Sequence, residues 1–135
     1  AASQDWIDLL LNKARAFIYS TAPPPSQAAA SLAALQLLNT PEGDKNRKKL
    51  NHNIALLTSL TKQSTSPSPI IPIIIGENER ALAASRSLLD NGFLVPAIRF
   101  PTVPRNTARL RITLSASHSE EQIQGLAKKI SSLEQ

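Results

Sequence analysis

The chain has no cysteine and no methionine among its 135 residues. Without cysteine there is no disulfide, no thiolate zinc site and no cysteine nucleophile, and the lack fits a reducing compartment. Ala1 opens the sequence, which leaves two readings: a start whose methionine has been removed, or a piece of a longer protein. Aromatic residues make up 4% of the chain, too few for the stacking platforms that bind single-stranded nucleic acid. The longest apolar run, Ile70 to Ile75, falls far short of the roughly 20 residues that cross a bilayer. The first residues carry Asp5 and Asp8 and no basic segment, unlike a secretory signal. Only four glycines occur, at Gly43, Gly76, Gly92 and Gly125, and none stands in a dinucleotide-binding or P-loop spacing. His52 and His118 have no third ligand at metal-binding spacing, and no G-x-S-x-G elbow is present. By motif alone the chain declares no catalytic constellation.

What is present is basic. Fifteen Lys and Arg against ten Asp and Glu give a net charge of +5, which suits a phosphorylated ligand or nucleic acid. The densest run, Lys45, Arg47, Lys48 and Lys49, reads as the solvated face of a helix.

Hydrophobic spacing divides the chain. Ile7, Leu10, Leu11, Ala14 and Ile18 fall on one stripe of a helix over Gln4 to Tyr19. "STAPPPSQ" breaks it, since three consecutive prolines force an extended turn. Ala28 to Leu38 favours helix, and Thr40-Pro41 starts another whose face is Leu50, Ile54, Leu57 and Leu60. Lys62 to Pro69 reads as a loop. "IIPIII" then reads as a buried strand whose Pro72 marks an unpaired edge. A helix through Ala81, Leu82, Ser85, Leu88 and Leu89 stops at Asn91-Gly92. Phe93 to Arg99 and Arg109 to Ser115 read as two further strands, the second half-buried by its alternation. Ser119 to Gln122 fits a capping box that opens a last helix through Ile123, Leu126, Ala127, Ile130 and Leu133. The expected fold is α/β: a helical lead-in, then β-α-β-β-α with a short mixed or antiparallel sheet covered by helices.

The strand near the end raises the functional question. Arg109 and Arg111 are two apart and share a face, and Arg99, from the preceding strand, could lie beside them. A guanidinium fork suits a carboxylate or phosphate through two parallel charge-assisted hydrogen bonds. The same residues also fit a half-exposed sheet facing water, and periodicity does not choose.

The stretch "VPAIRFPTVPRNTARLRITLSASHSEEQI" resembles the C-terminal segment of the 8-amino-7-oxononanoate synthase family. These are pyridoxal-phosphate enzymes of biotin synthesis, typically reading A-I-R-P-P-T-V-P-x-G-T-A-R-L-R there. "ARAFIYSTAPPPSQAAA" is similar to a second block of the family, and the likeness covers essentially the whole chain. Sister α-oxoamine synthases, such as glycine C-acetyltransferase and 5-aminolevulinate synthase, share the architecture but differ in this strand.

The resemblance implies the C-terminal part of a fold-type I transferase. Residues 1–40 would be the end of the large domain with its linker helices, and residues 41–135 the small α/β domain. It implies condensation of L-alanine with a pimeloyl thioester, on CoA or a carrier protein, in a cytoplasmic homodimer without nucleic-acid or membrane partners. It further implies that the cofactor lysine lies upstream of Ala1. None of the seven lysines here has that lysine's context, so the fragment alone is expected to be inactive and to supply no catalytic residue of its own.

By matching position, Arg111 would bind the amino-acid carboxylate and Thr102 would contact substrate. Ser20 and Thr21 would approach the pyridoxal 5'-phosphate phosphate from the partner subunit, without a choice between them. Arg99 and Arg109 receive no role, and His118 is expected to help start the following helix. Phe100 stands where the family has proline, and Asn106 where it has glycine, a residue type that tolerates positive φ. The alternatives are a sister synthase, a free-standing anion-binding α/β module and, last, a nucleic-acid binder.

Overall fold

A computed structural model describes residues 2–61 and 68–133. The loop expected over Lys62 to Pro69 lies mostly outside the described residues. The chain divides into two compact units, Ala1–Thr40 and Pro41–Gln135.

The first unit is helical. Helix α1 spans Gln4–Lys13, α2 Arg15–Ile18 and α3 Pro25–Leu38. The single helix expected over Gln4 to Tyr19 is therefore two. Ala14 turns to ψ 101° and ends α1, its N–H still bonded to the Leu10 carbonyl, while its own carbonyl accepts from Phe17 and Ile18 to begin α2. The apolar stripe runs straight through this break, because side-chain spacing records a face and not the ψ of one residue. Helix α3 begins three residues earlier than expected. Pro24 is extended at φ −62° and ψ 144°, and Pro25 takes the first helical position, where a missing N–H costs nothing and φ is already helical. No residue of α1, α2 or α3 is buried; Trp6 is 62% exposed.

The second unit carries the core. Helix α4 spans Pro41–Thr61, β1 Ile70–Gly76, α5 Asn78–Asp90, β2 Ala97–Ile98, β3 Ala108–Thr113 and α6 Glu120–Leu133. The sheet is antiparallel with strand order β1-β3-β2, so β3 is central. Strand β1 lies at an edge, as Pro72 requires. Pro72 faces Arg111, and the Arg111 N–H is directed the other way, to the Pro96 carbonyl at 2.9 Å. Pro72 thus occupies a non-hydrogen-bonded pair, where its missing N–H removes no ladder bond. Strand β2 is two residues long rather than seven. Pro96, with no N–H and a fixed φ, bounds it on one side, and the turn after Arg99 bounds it on the other.

Buried residues alternate along β1 (Ile71, Ile73) and β3 (Ala108, Leu110, Ile112), and α4, α5 and α6 add Ile54, Leu57, Leu88, Ile123 and Ile130 to the same cluster. Helix α5 closes with a Schellman arrangement. The Phe93 N–H bonds the Leu88 carbonyl at 2.9 Å and the Gly92 N–H bonds the Leu89 carbonyl at 2.8 Å, with Gly92 at φ +86°, where a Cβ is strained. Helix α6 opens with the reciprocal capping box. The Ser119 N–H donates to Gln122 Oε1 at 3.0 Å, and the Gln122 N–H donates to Ser119 Oγ at 3.3 Å. The Ser119 hydroxyl, and then the Glu121 backbone N–H, hold the exposed Glu121 carboxyl below its ordinary range.

Adjacent residues on β3 should therefore differ sharply in their effect on stability. Leu110→Ala is expected to cost about 2–5 kcal/mol in urea unfolding, and Arg111→Ala within about 0.5 kcal/mol. Equal losses would mean that β3 does not alternate as described.

Candidate functional site on the open face of the sheet

One face of the sheet is filled by the helices, and alternation assigns the other. Ile70 pairs with Thr113, Pro72 with Arg111 and Ile74 with Arg109. Ile70, Pro72, Arg111 and Thr113 are exposed, Ile74 is 65% exposed, and Arg109 is half-buried. Within the second unit this face carries two guanidinium groups among apolar neighbours. In the non-hydrogen-bonded Pro72–Arg111 pair the side chains stand close, so the rigid proline ring flanks the arginine. Such a group can hold a carboxylate in the bidentate manner.

The arginines are not equivalent. The Arg109 Nε donates to the Thr107 carbonyl at 3.0 Å, which commits part of its fork to the chain itself. Arg111 is exposed. Arg99 does not join the row: the β2 partner of Arg109 is Ile98, and Arg99 follows the strand's last residue. The expectation that Arg99 lies beside the other two is corrected by this register.

Thr102 is exposed in the turn between β2 and β3, where the Val103 N–H bonds the Arg99 carbonyl at 3.2 Å. Asn106 has φ 60°, the left-handed conformation a glycine would take most easily, so asparagine meets the backbone requirement here. Ser20 and Thr21 belong to the first unit and are exposed just after α2. The Ser20 hydroxyl donates to the Phe17 carbonyl at 2.8 Å, so its proton is in use.

His118 closes the turn that leads from β3 into α6, its Nδ1 accepting the Ser115 N–H at 3.1 Å. Two features escaped sequence reasoning. Asn53 is buried on α4, and its Nδ2 donates to the Ser115 and His118 carbonyls at 3.0 and 3.2 Å. Its one legible sign is a polar residue one turn before Leu57 on an otherwise apolar stripe. His52 Nε2 lies 3.0 Å from Glu120 Oε1, a second tie between α4 and α6. In the basic run, Arg47 is paired with Asp44. Among the described residues no group of three His, Cys, Asp or Glu could hold a metal ion, and no helix is long and apolar enough to cross a membrane.

Residues 1–130 match the aminotransferase class I and II family, and the chain belongs to it. More narrowly, it is 48% identical over 133 residues to the 8-amino-7-oxononanoate synthase of Maricaulis maris, covering 98% of this chain and 33% of that protein. It is 45% identical over 135 residues to the 8-amino-7-oxononanoate synthase of Methylobacterium nodulans, covering 98% and 34%. The chain thus spans about a third of the length of these curated relatives. Among solved structures, 8-amino-7-oxononanoate synthase from Francisella tularensis aligns with TM-score 0.75 at 28% identity over 98% of this chain and 41% of that one. Serine palmitoyltransferase from Sphingomonas wittichii aligns with TM-score 0.83 at 26% identity over 98% and 35%. SPT solved with PLP shares the fold at TM-score 0.86 and 24% identity.

The left-handed conformation at Asn106 carries its own test. Asn106→Gly should leave urea stability within about 0.5 kcal/mol, whereas Asn106→Val should cost about 1–2 kcal/mol. A valine variant as stable as the parent would contradict this backbone geometry.

Proposed function

We propose that the chain is the C-terminal part of a pyridoxal-phosphate-dependent acyltransferase. The reaction condenses L-alanine with a pimeloyl thioester, on CoA or a carrier protein, to give 8-amino-7-oxononanoate, carbon dioxide and the free thiol of CoA or the carrier. The observation that carries this reading is the exposed Arg111 on the open sheet face, in a chain 43–48% identical to enzymes of that name. The fold is shared with serine palmitoyltransferase, so fold does not separate the sister synthases; the higher identity to the oxononanoate enzymes favours that member.

In this reading residues 1–40 are the end of the large domain with its linker helices, and residues 41–135 the small domain. The exposed apolar faces of α1 to α3 are in keeping with packing partners elsewhere in the whole protein, including the second subunit of a homodimer. Pyridoxal phosphate, when bound, supplies the electron sink that makes the amino acid's α-carbon nucleophilic. The chain's own residues bind and orient. Arg111 grips the alanine carboxylate through two N–H donors and fixes the molecule's orientation, and the exposed Thr102 hydroxyl, in the turn after β2, serves the acyl substrate. The exposed hydroxyls after α2 suit a phosphate, with Thr21 the better donor because Ser20 already donates to Phe17. The location of such an enzyme would be cytoplasmic.

The test uses the protein at its full coded length. Arg111→Ala should raise the KM for L-alanine about 10- to 100-fold, the loss of a charge-assisted pair, with thermal stability nearly unchanged. A KM equal to that of the parent would refute the carboxylate role.

A further inference from the structure

The turn that carries Thr102 is held by a stack that the resemblance does not explain. The Arg105 guanidinium carbon lies 4.5 Å from the centroid of the Phe100 ring, within cation–π range. Arg105 and Phe100 close the turn from its two ends, with Thr102 between them. Phe100 is itself tethered to the scaffold: its N–H donates to Asn78 Oδ1, at the start of α5, at 3.3 Å. Beyond Arg105, the Thr107 hydroxyl and N–H both donate to the Pro104 carbonyl, at 2.8 and 3.3 Å. Glu77, Asn78, Glu79, Phe100, Arg105 and Asn106 line one cleft of about 440 Å³. Phe100 stands where a proline would stiffen the turn through its own ring; here an aromatic ring and a cation brace it across space instead.

We propose that Arg105 is a positioning residue, acting through the Phe100 ring to hold the Thr102 turn in register for the acyl thioester. The proposal rests on the reading of the chain as part of an oxononanoate synthase. Arg111 is fixed independently, by β3 pairing and by its N–H bond to Pro96, so the stack should bear on the acyl substrate and leave the amino acid alone. The size expected of an exposed cation–π contact is modest, about two- to five-fold.

The experiment compares the full-length parent with Arg105→Ala, Arg105→Lys, Phe100→Ala and the double alanine variant. Steady-state kinetics with L-alanine and pimeloyl-CoA are read alongside amide hydrogen exchange of the 99–107 segment. Arg105→Ala should raise the KM for pimeloyl-CoA about two- to five-fold, with kcat and the KM for L-alanine unchanged, and should speed exchange of the segment to a similar degree. Arg105→Lys should restore part of both, since an ammonium also sits over a ring. In the Phe100→Ala background, removal of Arg105 should change nothing further. A fall in kcat with both KM values unchanged, as a smaller folded fraction gives, would overturn the proposal. So would additive effects of the two alanine substitutions, or exchange that does not respond to Arg105. A parent protein that makes no product from these substrates would instead refute the underlying functional reading, while the exchange measurement still decides whether the stack holds the turn.

Discussion

The alternation of β3 is the constraint on which the site depends. Leu110 and Ile112 are almost fully buried at the centre of the sheet, and Ala108 joins them. Their burial fixes the strand's register, because a slip of one residue would send the leucine and isoleucine into water and drive the arginines into the core. Burying an unpaired guanidinium is far costlier than exposing an aliphatic side chain. Hydrophobic packing on one face therefore points Arg109 and Arg111 out of the other. The core orients Arg111 without touching it.

The edges of the sheet follow from the same arrangement. Pro72 is compatible with β1 because it pairs with Arg111 at a position whose hydrogen-bonding groups turn toward β2. That places a rigid ring next to the arginine and also blunts an edge that would otherwise pair with another chain. At the opposite edge, Pro96 and the turn after Arg99 cut β2 to two residues. The chain between Ile98 and Ala108 is thus released from the sheet and built from local contacts, with Asn78, Phe100 and Arg105 supplying them.

Much of this was legible from residue pattern. The alternation of Arg109 to Ser115, the edge position implied by Pro72, the Asn91-Gly92 stop and the Ser119–Gln122 capping box are local signals, each set by the chemistry of a few neighbouring residues. What was not legible depends on backbone angles or on distant partners. The break at Ala14 is a change in ψ that leaves the apolar stripe intact. The first helical position of Pro25 looks the same in sequence as the prolines of an extended turn. The shortness of β2 depends in part on the turn after Arg99, which appears only where the Val103 N–H meets the Arg99 carbonyl. Asn53 answers carbonyls 62 and 65 residues away, and the Phe100–Arg105 stack appears only when the turn brings its two ends together. For the site itself, pattern put Arg111 on a face. The choice between water and a carboxylate came from the resemblance of the surrounding residues, and Arg99 fell out of the row once the β2 register was known.

The central claim is that Arg111 is the receptor for a substrate carboxylate on the open face of the sheet. It is tested most directly by a crystal structure of the full-length protein, loaded with its cofactor and L-alanine. The account predicts both carboxylate oxygens at about 2.7–2.9 Å from Arg111 nitrogens. A carboxylate held by other residues, with Arg111 turned to solvent, would contradict it.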